Sequence, residues 1–211
     1  MADKRKLGSM FRQVNGFWVP EKDVGCSAVV FQSLPDLDGA MRLCKAFDVV
    51  VQAGGNFGVW PSHLSSHFKT VYTFEPDALN FACLCRNVGD KLNVIKMQAA
   101  LGKEHGCVDL RRREENAGAH FIEGVGNIPV IAVDDLLLPK CDLIVLDIEG
   151  FELNALHGAA KTIGAFHPVI HIEDKGLSEK YGSAEGDAEK WLEQFGYKVR
   201  SRPSRDVILS V

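Results

Sequence analysis

This sequence lacks long apolar runs, an excess of positive charge and cysteines with the spacing of a metal site. No apolar stretch approaches the roughly 20 residues that a membrane-spanning helix requires, and the opening residues, MADKRKLGSMFRQVNG, lack the apolar core of a signal peptide. A formal net charge of −4 gives no general attraction to the phosphates of nucleic acids. We therefore expect a cytoplasmic protein with an uncharged, small-molecule or carbohydrate ligand and no membrane partner, and the charge argues against a nucleic-acid partner. A homo-oligomer is left open.

The cysteines do not form a recognisable site. They lie at positions 26, 44, 83, 85, 107 and 141, and no two have the spacing of a zinc site or of a redox-active pair. Cys83 and Cys85 are two residues apart in an apparent helix, so their side chains point to different faces. We expect reduced thiols in the core, and we predict no metal ligands.

From residue 49 onward, short apolar runs alternate with segments of helical periodicity. DVVVQ and DLIVLD are nearly uninterrupted apolar runs, which are typical of central strands buried on both faces. The alternation predicts an α/β fold with a parallel sheet and helices on both faces. Because ligands in such sheets bind beyond the carboxyl ends of the strands, polar residues at those ends are the candidate site.

Three parts of the chain depart from this alternation. Residues 1–48 predict an N-terminal extension, with a hairpin at FRQVNGFWVP and a helix at PDLDGAMRLCKAF that Asp36 would cap, packed on a main domain of residues 49–211. The polar, glycine-containing stretch 111–129 predicts a mobile loop. GYKVRSRPSRDVILSV predicts a terminal antiparallel strand pair.

The segment QAGGNFG, residues 52–58, reads as a strand, a glycine turn and the start of a helix. A dinucleotide fingerprint would require glycine where Asn56 and Val59 stand, and the Gly-Lys-Ser/Thr ending of a phosphate loop is missing. What remains is Gly-x-x-x-Gly after a strand. This pattern fits either a ligand held close to the backbone or a plain turn that uses glycine for positive φ.

Glu75 ends the next apolar strand, in TFEPD, 21 residues after Gly54. In nucleotide-binding α/β proteins an acid about 20 residues after the glycine turn accepts hydrogen bonds from ribose hydroxyls. The alternative is an acid that caps the helix PDALNFACLC, because Pro76 fits a helix start. Its distance from the glycine turn favours the ribose role.

Six segments in this order resemble the FkbM-type methyltransferases, a class I family that uses S-adenosylmethionine (SAM). They span residues 49 to about 174 and read QAGGNFG, VYTFEPDALNFACLCRNV, MQAALGKEHGCVDL, VDDLL, DLIVLDIEGFELNALHGAAKTI and HPVIHIED. The resemblance implies a Rossmann-like class I methyltransferase fold, with a mostly parallel seven-stranded sheet and an antiparallel C-terminal strand. It also implies methyl transfer to a hydroxyl of a sugar or small metabolite. A nitrogen or nucleic-acid acceptor and a non-catalytic binding module are the alternatives.

The resemblance also implies the residues that hold the cofactor. The glycine turn would face its ribose and methionine part, Glu75 its ribose hydroxyls, and the segment after the third strand its adenine. The implied cofactor-binding residues are Gln52, Gly54, Gly55, Asn56, Gly58, Glu75, Gln98, Ala99 and Asp147. Two positions depart from the family, which commonly has Asp in place of Gln52 and Lys in place of Val145.

An alcohol is a poor nucleophile until its proton is removed, so a general base or a metal is expected near the transferred methyl group. Asp147 is our first choice for the base, since it ends a predicted central strand, and Glu149 would share its face if the strand continued that far. His171 and Glu173 end the following strand, and histidine is a common base near neutral pH. Glu152 is expected only to complement the dipole of the next helix.

Overall fold

A seven-stranded sheet lies at the centre of the protein, in a computed structural model that describes residues 10–211. Residues 1–9, which carry part of the predicted extension and of the segment compared with signal peptides, lie outside the described residues. The strands, numbered along the chain, are β1 Phe11–Val14, β2 Phe17–Pro20, β3 Val49–Ala53, β4 Thr70–Phe74, β5 Val94–Met97, β6 Ala100–Leu101, β7 Gly106–Val108, β8 Leu110–Arg111, β9 Phe121–Ile122, β10 Ile128–Ile131, β11 Leu143–Leu146, β12 Val169–Glu173, β13 Lys198–Ser201 and β14 Asp206–Ser210.

Helices connect these strands. The α-helices are α1 Cys26–Val29, α2 Leu34–Met41, α3 Val59–Leu64, α4 Ala78–Asn87, α5 Glu152–His157, α6 Ala160–Phe166 and α7 Asp187–Glu193. Short 3₁₀ helices span Val30–Ser33, Val133–Leu136 and Leu177–Tyr181. Within residues 10–211, every helix is too short or too polar to cross a bilayer.

The order of strands in the central sheet is β13, β14, β12, β11, β3, β4, β5. Strands β12, β11, β3, β4 and β5 run parallel to one another, and β14 is antiparallel to both β12 and β13. The predicted mostly parallel sheet and antiparallel terminal strand pair are therefore confirmed. The carboxyl ends of β3, β4, β11 and β12 meet at one edge of the sheet.

Alternate residues of the central strands enter two separate hydrophobic cores. Ile144 and Leu146 of β11 pack on one side with α5, α6 and α7, whereas Leu143 and Val145 pack on the other with α2, α3 and α4. Both faces are covered because successive strand residues point in opposite directions. This two-sided burial explains the uninterrupted apolar runs in the sequence.

The N-terminal extension contains the predicted hairpin and helix. Asn15 and Gly16 both have positive φ, at 49° and 83°, which is the geometry of a two-residue hairpin turn. The hairpin is tied to α4, because the side chain of Asn87 bonds both the N–H and the C=O of Trp18. The prediction that Asp36 caps α2 is wrong, since Ser33 occupies the capping position and Asp36 lies inside the first turn.

The stretch 111–129 is more ordered than the loop that its composition predicted. It contains the last residue of β8, all of β9, which pairs with β8 in a hairpin, and the start of β10. Two contacts fasten the stretch to α4: the Arg112 Nε to Asp77 Oδ2 distance is 2.6 Å, and Asn80 donates a hydrogen bond to the Ala117 carbonyl. These contacts hold the hairpin over the carboxyl edge of the sheet.

Candidate active site

A cavity of about 620 Å³ opens at the carboxyl edge of the sheet. Its walls come from the glycine turn after β3, the ends of β4, β11 and β12, the β8–β9 hairpin and the N-terminal extension. The volume lies in the usual range of small-molecule sites, about 300–1,000 Å³. The ligand site expected at this edge of the sheet is therefore present as a space.

The glycine turn presents bare backbone to this cavity. Gly54 has φ +80°, and a Cβ there would lie 1.9 Å from the carbonyl oxygen of Asp147. A Cβ on Gly55 would lie 2.7 Å from Thr73 Oγ1. Both residues line the cavity, as does Asn56. Gly58 does not line it; a Cβ there would lie 3.3 Å from Leu84 Cα, so this glycine lets α3 pack on α4.

Glu75 lies beside the glycine turn at the end of β4, only 5% exposed, and lines the cavity. Its carboxylate accepts hydrogen bonds from the backbone N–H of Asn56 at 2.7 Å and of Asp77 at 2.8 Å. Burial raises the pKa of Glu75 to about 7, although these two bonds oppose the shift. Asp77, not Glu75, caps α4, so the helix-cap alternative for Glu75 is wrong.

Asp147 and Glu149 both line the cavity beyond the end of β11. The strand ends at Leu146, and the backbone turns at Glu149, whose φ is +57°. The Asp147 carboxylate makes no hydrogen bond with any residue from 10 to 211. Burial, followed by the charges of Glu173 and Glu149, raises the pKa of Asp147 well above its usual value. The two acids share the site without sharing a strand face.

Glu152 does more than complement a helix dipole. It is the first residue of α5, and its Oε1 accepts hydrogen bonds from the backbone N–H groups of Ile148 and Gly150, at 3.0 and 3.2 Å. The side chain therefore closes the turn that carries Asp147 and Glu149. Burial raises the pKa of Glu152 to about 7.

Replacing Glu152 with glutamine should change how stability depends on pH. Because the folded protein holds the Glu152 proton up to a pKa of about 7, wild-type stability falls as pH rises from the unfolded value of 4.5. Glutamine keeps an acceptor oxygen and cannot ionise, so the variant should gain on the order of 3 kcal/mol relative to wild type between pH 4.5 and pH 8. Urea unfolding at both pH values measures this. The exposed Glu179→Gln variant is the control, and a gain that is equal at both pH values contradicts the prediction.

Glu173, at the end of β12, lines the cavity together with Lys175. Lys175 Nζ lies 2.5 Å from Glu173 Oε1 and 3.4 Å from Glu149 Oε1. Burial raises the pKa of Glu173, and Lys175 opposes that shift. The sequence did not predict a role for Lys175, because a lysine two residues after a strand resembles an ordinary surface residue.

His171 does not reach the cavity, contrary to the expectation that it contacts an acceptor. Its side chain is 1% exposed, and its ring lies beside Trp60 with centroids 5.8 Å apart. His171 Nε2 is 2.7 Å from Asp206 Oδ2, and Asp206 does line the cavity at the start of β14. His171 can therefore influence the site only through Asp206, which the sequence reading also missed.

Besides Gly58, two of the implied cofactor residues lie off the cavity wall. Gln52 is fully buried in β3, where Oε1 accepts a hydrogen bond from Thr73 Oγ1 at 2.6 Å and Nε2 donates to the Ala53 carbonyl. Gln98 is exposed outside the cavity, whereas Ala99 lines it. Direct cofactor contacts by Gln52 and Gln98 are therefore not supported. Val145 is fully buried in β11.

The sequence matches the family described as the Methyltransferase FkbM domain over residues 52–199, more than two thirds of the chain. The chain belongs to this family. Among curated proteins, none matches the sequence closely enough to count as a relative. The FkbM match agrees with the resemblance found in the ordered motifs.

Solved structures share the fold of this FkbM domain. Methyltransferase FkbM from Methylobacillus flagellatus KT is 20% identical, with a TM-score of 0.54 over 90% of this chain and 48% of that one. A Streptococcus mutans protein assigned as a methyltransferase, solved in complex with S-adenosylhomocysteine (SAH), is 10% identical, with a TM-score of 0.52 over 84% and 96% of the two chains. These likenesses show the class I methyltransferase fold. The present chain spans about half the length of the Methylobacillus protein.

Proposed function

We propose that this FkbM domain transfers a methyl group from SAM to a hydroxyl of a sugar or small metabolite. The observation that carries the proposal is one cavity lined by two kinds of group. The bare backbone of Gly54 and Gly55 lies near the Glu75 carboxylate, an arrangement that suits a nucleoside. The Asp147 carboxylate, which makes no hydrogen bond within residues 10–211, lines the same cavity and suits a proton transfer.

The residues around the glycine turn fit the cofactor. The Gly54–Gly55 backbone leaves room that a Cβ would fill. Each Glu75 carboxylate oxygen accepts a hydrogen bond from one backbone N–H and can accept a further one from a ribose hydroxyl. Ala99 leaves space for the adenine. The acidic walls also suit a ligand that carries positive charge.

The residues around Asp147 fit the removal of a proton from an alcohol. When bound, the cofactor supplies an electrophilic methyl group on a positively charged sulfur. Asp147 would accept the acceptor's hydroxyl proton through its free carboxylate, and an acid whose pKa is raised by burial is a stronger base once ionised. Glu152 holds the turn that presents Asp147.

Several residues of the cavity wall are polar and carry both donors and acceptors of hydrogen bonds. They are Gln32, Ser33, Asp36, Ser204 and Arg205. Such a mixture suits a ligand with several hydroxyl groups. The acids that line the rest of the cavity would repel nucleic-acid phosphates, which supports a sugar or small metabolite over a nucleic acid.

Calorimetry with SAH tests the cofactor assignment. At pH 8.5, above the Glu75 pKa of about 7, wild type should bind SAH and Glu75→Gln should bind it about tenfold or more weakly, because the amide loses the charged acceptor for the ribose hydroxyls. Glu179→Gln is the control: it neutralises an exposed glutamate outside the cavity wall and should keep wild-type affinity. No heat from wild type at millimolar SAH would refute the proposal.

A further inference from the structure

The acids at the ends of β11 and β12 surround a positive charge that belongs to the chain itself. One carboxylate oxygen each of Asp147, Glu149 and Glu173 lie within 4.8 Å of one another. Lys175 Nζ is within ion-pair distance of Glu149 and Glu173, at 3.4 and 2.5 Å, and its charge also lowers the pKa of Asp147. The Lys175 side chain is only 21% exposed. One ammonium group therefore pairs with two of the three acids and acts on the third through its charge.

Carboxylates this close repel one another unless a cation lies among them. A divalent metal ion is one such cation, since it binds oxygen ligands at about 2.0–2.6 Å. A lysine ammonium is another, and it is held by its own side chain. With Lys175 in its present position, a divalent ion at the same carboxylates would face a like charge. The two cations should therefore exclude each other.

We propose that Lys175 is the resident cation of this acid cluster and occupies the place that a divalent metal ion would otherwise take. An ammonium has three N–H donors, and Glu173 and Glu149 use two of them. Within residues 10–211 the third donor has no partner, and Lys175 lines the cavity, so this donor can bond an acceptor oxygen. Metal-independent methyl transfer is the consequence, and only this consequence rests on the proposed function.

Binding of Mn²⁺ to the 211-residue chain without SAM or SAH tests the proposal. Titrations followed by the electron paramagnetic resonance of free Mn²⁺ would compare wild type with Lys175→Met. The variant should bind one Mn²⁺ per chain at least tenfold more tightly than wild type, because removal of the ammonium leaves the three carboxylates without a counter-ion. Lys175→Arg keeps the charge and should exclude Mn²⁺ as wild type does.

Two further variants show where the ion binds. Lys180→Met removes the same charge from a neighbouring lysine that stacks on Phe121 and makes no ion pair within residues 10–211, so it should behave as wild type. Adding Glu173→Gln to Lys175→Met should abolish the gained site. Circular dichroism confirms folding, and Lys175→Gln replaces Lys175→Met if the latter does not fold.

Three results would overturn the proposal. These are Mn²⁺ binding by wild type as tight as that of Lys175→Met, a folded Lys175→Met that gains no affinity, and a gained site that survives Glu173→Gln. Because no titration contains SAM or SAH, these results are independent of the calorimetric test of the methyltransferase proposal. A protein that fails to bind SAH can still confirm Lys175 as the resident cation.

Discussion

Replacing Gly54 with alanine should destabilise the protein by about 4 kcal/mol or more, which is the exceptional range for a single substitution. A Cβ at this position would lie 1.9 Å from the Asp147 carbonyl oxygen, and Gly54 and Asp147 each directly follow a buried strand, β3 and β11. Neither strand can move away without disturbing both hydrophobic cores. We expect SAH binding to be lost even where the variant remains folded, because the turn and the Asp147 segment must separate.

Gly16→Ala is a matched control for Gly54→Ala. Gly16 has a nearly identical φ of +83°, but a Cβ there would meet nothing within 4 Å. This control should cost only about 1–2 kcal/mol, the strain of a left-handed conformation in a residue with a side chain. Urea unfolding of both variants separates strain from collision. Equal losses of stability in the two variants would show that the Gly54 contact is not limiting.

Replacing Asp147 with asparagine should reduce methyl transfer by about 10²- to 10⁴-fold, the usual contribution of a general base. Asparagine has nearly the same shape but cannot accept the acceptor's proton. SAH affinity should change little by comparison, since Glu75 and the glycine turn are intact. Transfer of a labelled methyl group from SAM to a panel of sugars and small alcohols measures the rate, and calorimetry measures the affinity.

Asp36→Asn is the control for Asp147→Asn, because it neutralises another carboxylate on the wall of the same cavity. It should retain a rate within about tenfold of wild type, as expected for one hydrogen bond to a bound ligand. A wild-type rate in Asp147→Asn would exclude Asp147 as the base. The Asp206 carboxylate, with His171 behind it, would then be the group to replace.

The sequence was sufficient to predict the sheet and the part of the cavity formed by the glycine turn and Glu75. The apolar runs of β3 and β11 follow from burial on both faces, and that pattern is visible in the residues themselves. Glu75 was found because the distance from the glycine turn to the second strand end is fixed by one helix and two short connections. Both features depend on local periodicity.

The part of the cavity around Asp147 could be predicted only in part, because its residues come from distant strands. Asp206 approaches His171 through the antiparallel pairing of β12 with β14, in which Asp206 lies opposite Glu173. Lys175 has meaning only when Glu149, on another strand connection, is placed beside it. The position of Gln52 off the cavity wall could not be predicted for a related reason: its partner, Thr73, lies on the neighbouring strand.

The close approach of Gly54 to Asp147 also bears on how the cavity can diversify. A backbone contact joins the turn after β3 to the turn after β11, so neither turn can be altered without the other. The β8–β9 hairpin and the N-terminal extension line the same cavity and lie outside this contact. We expect relatives to exchange one acceptor for another through those two segments, with the two turns unaltered.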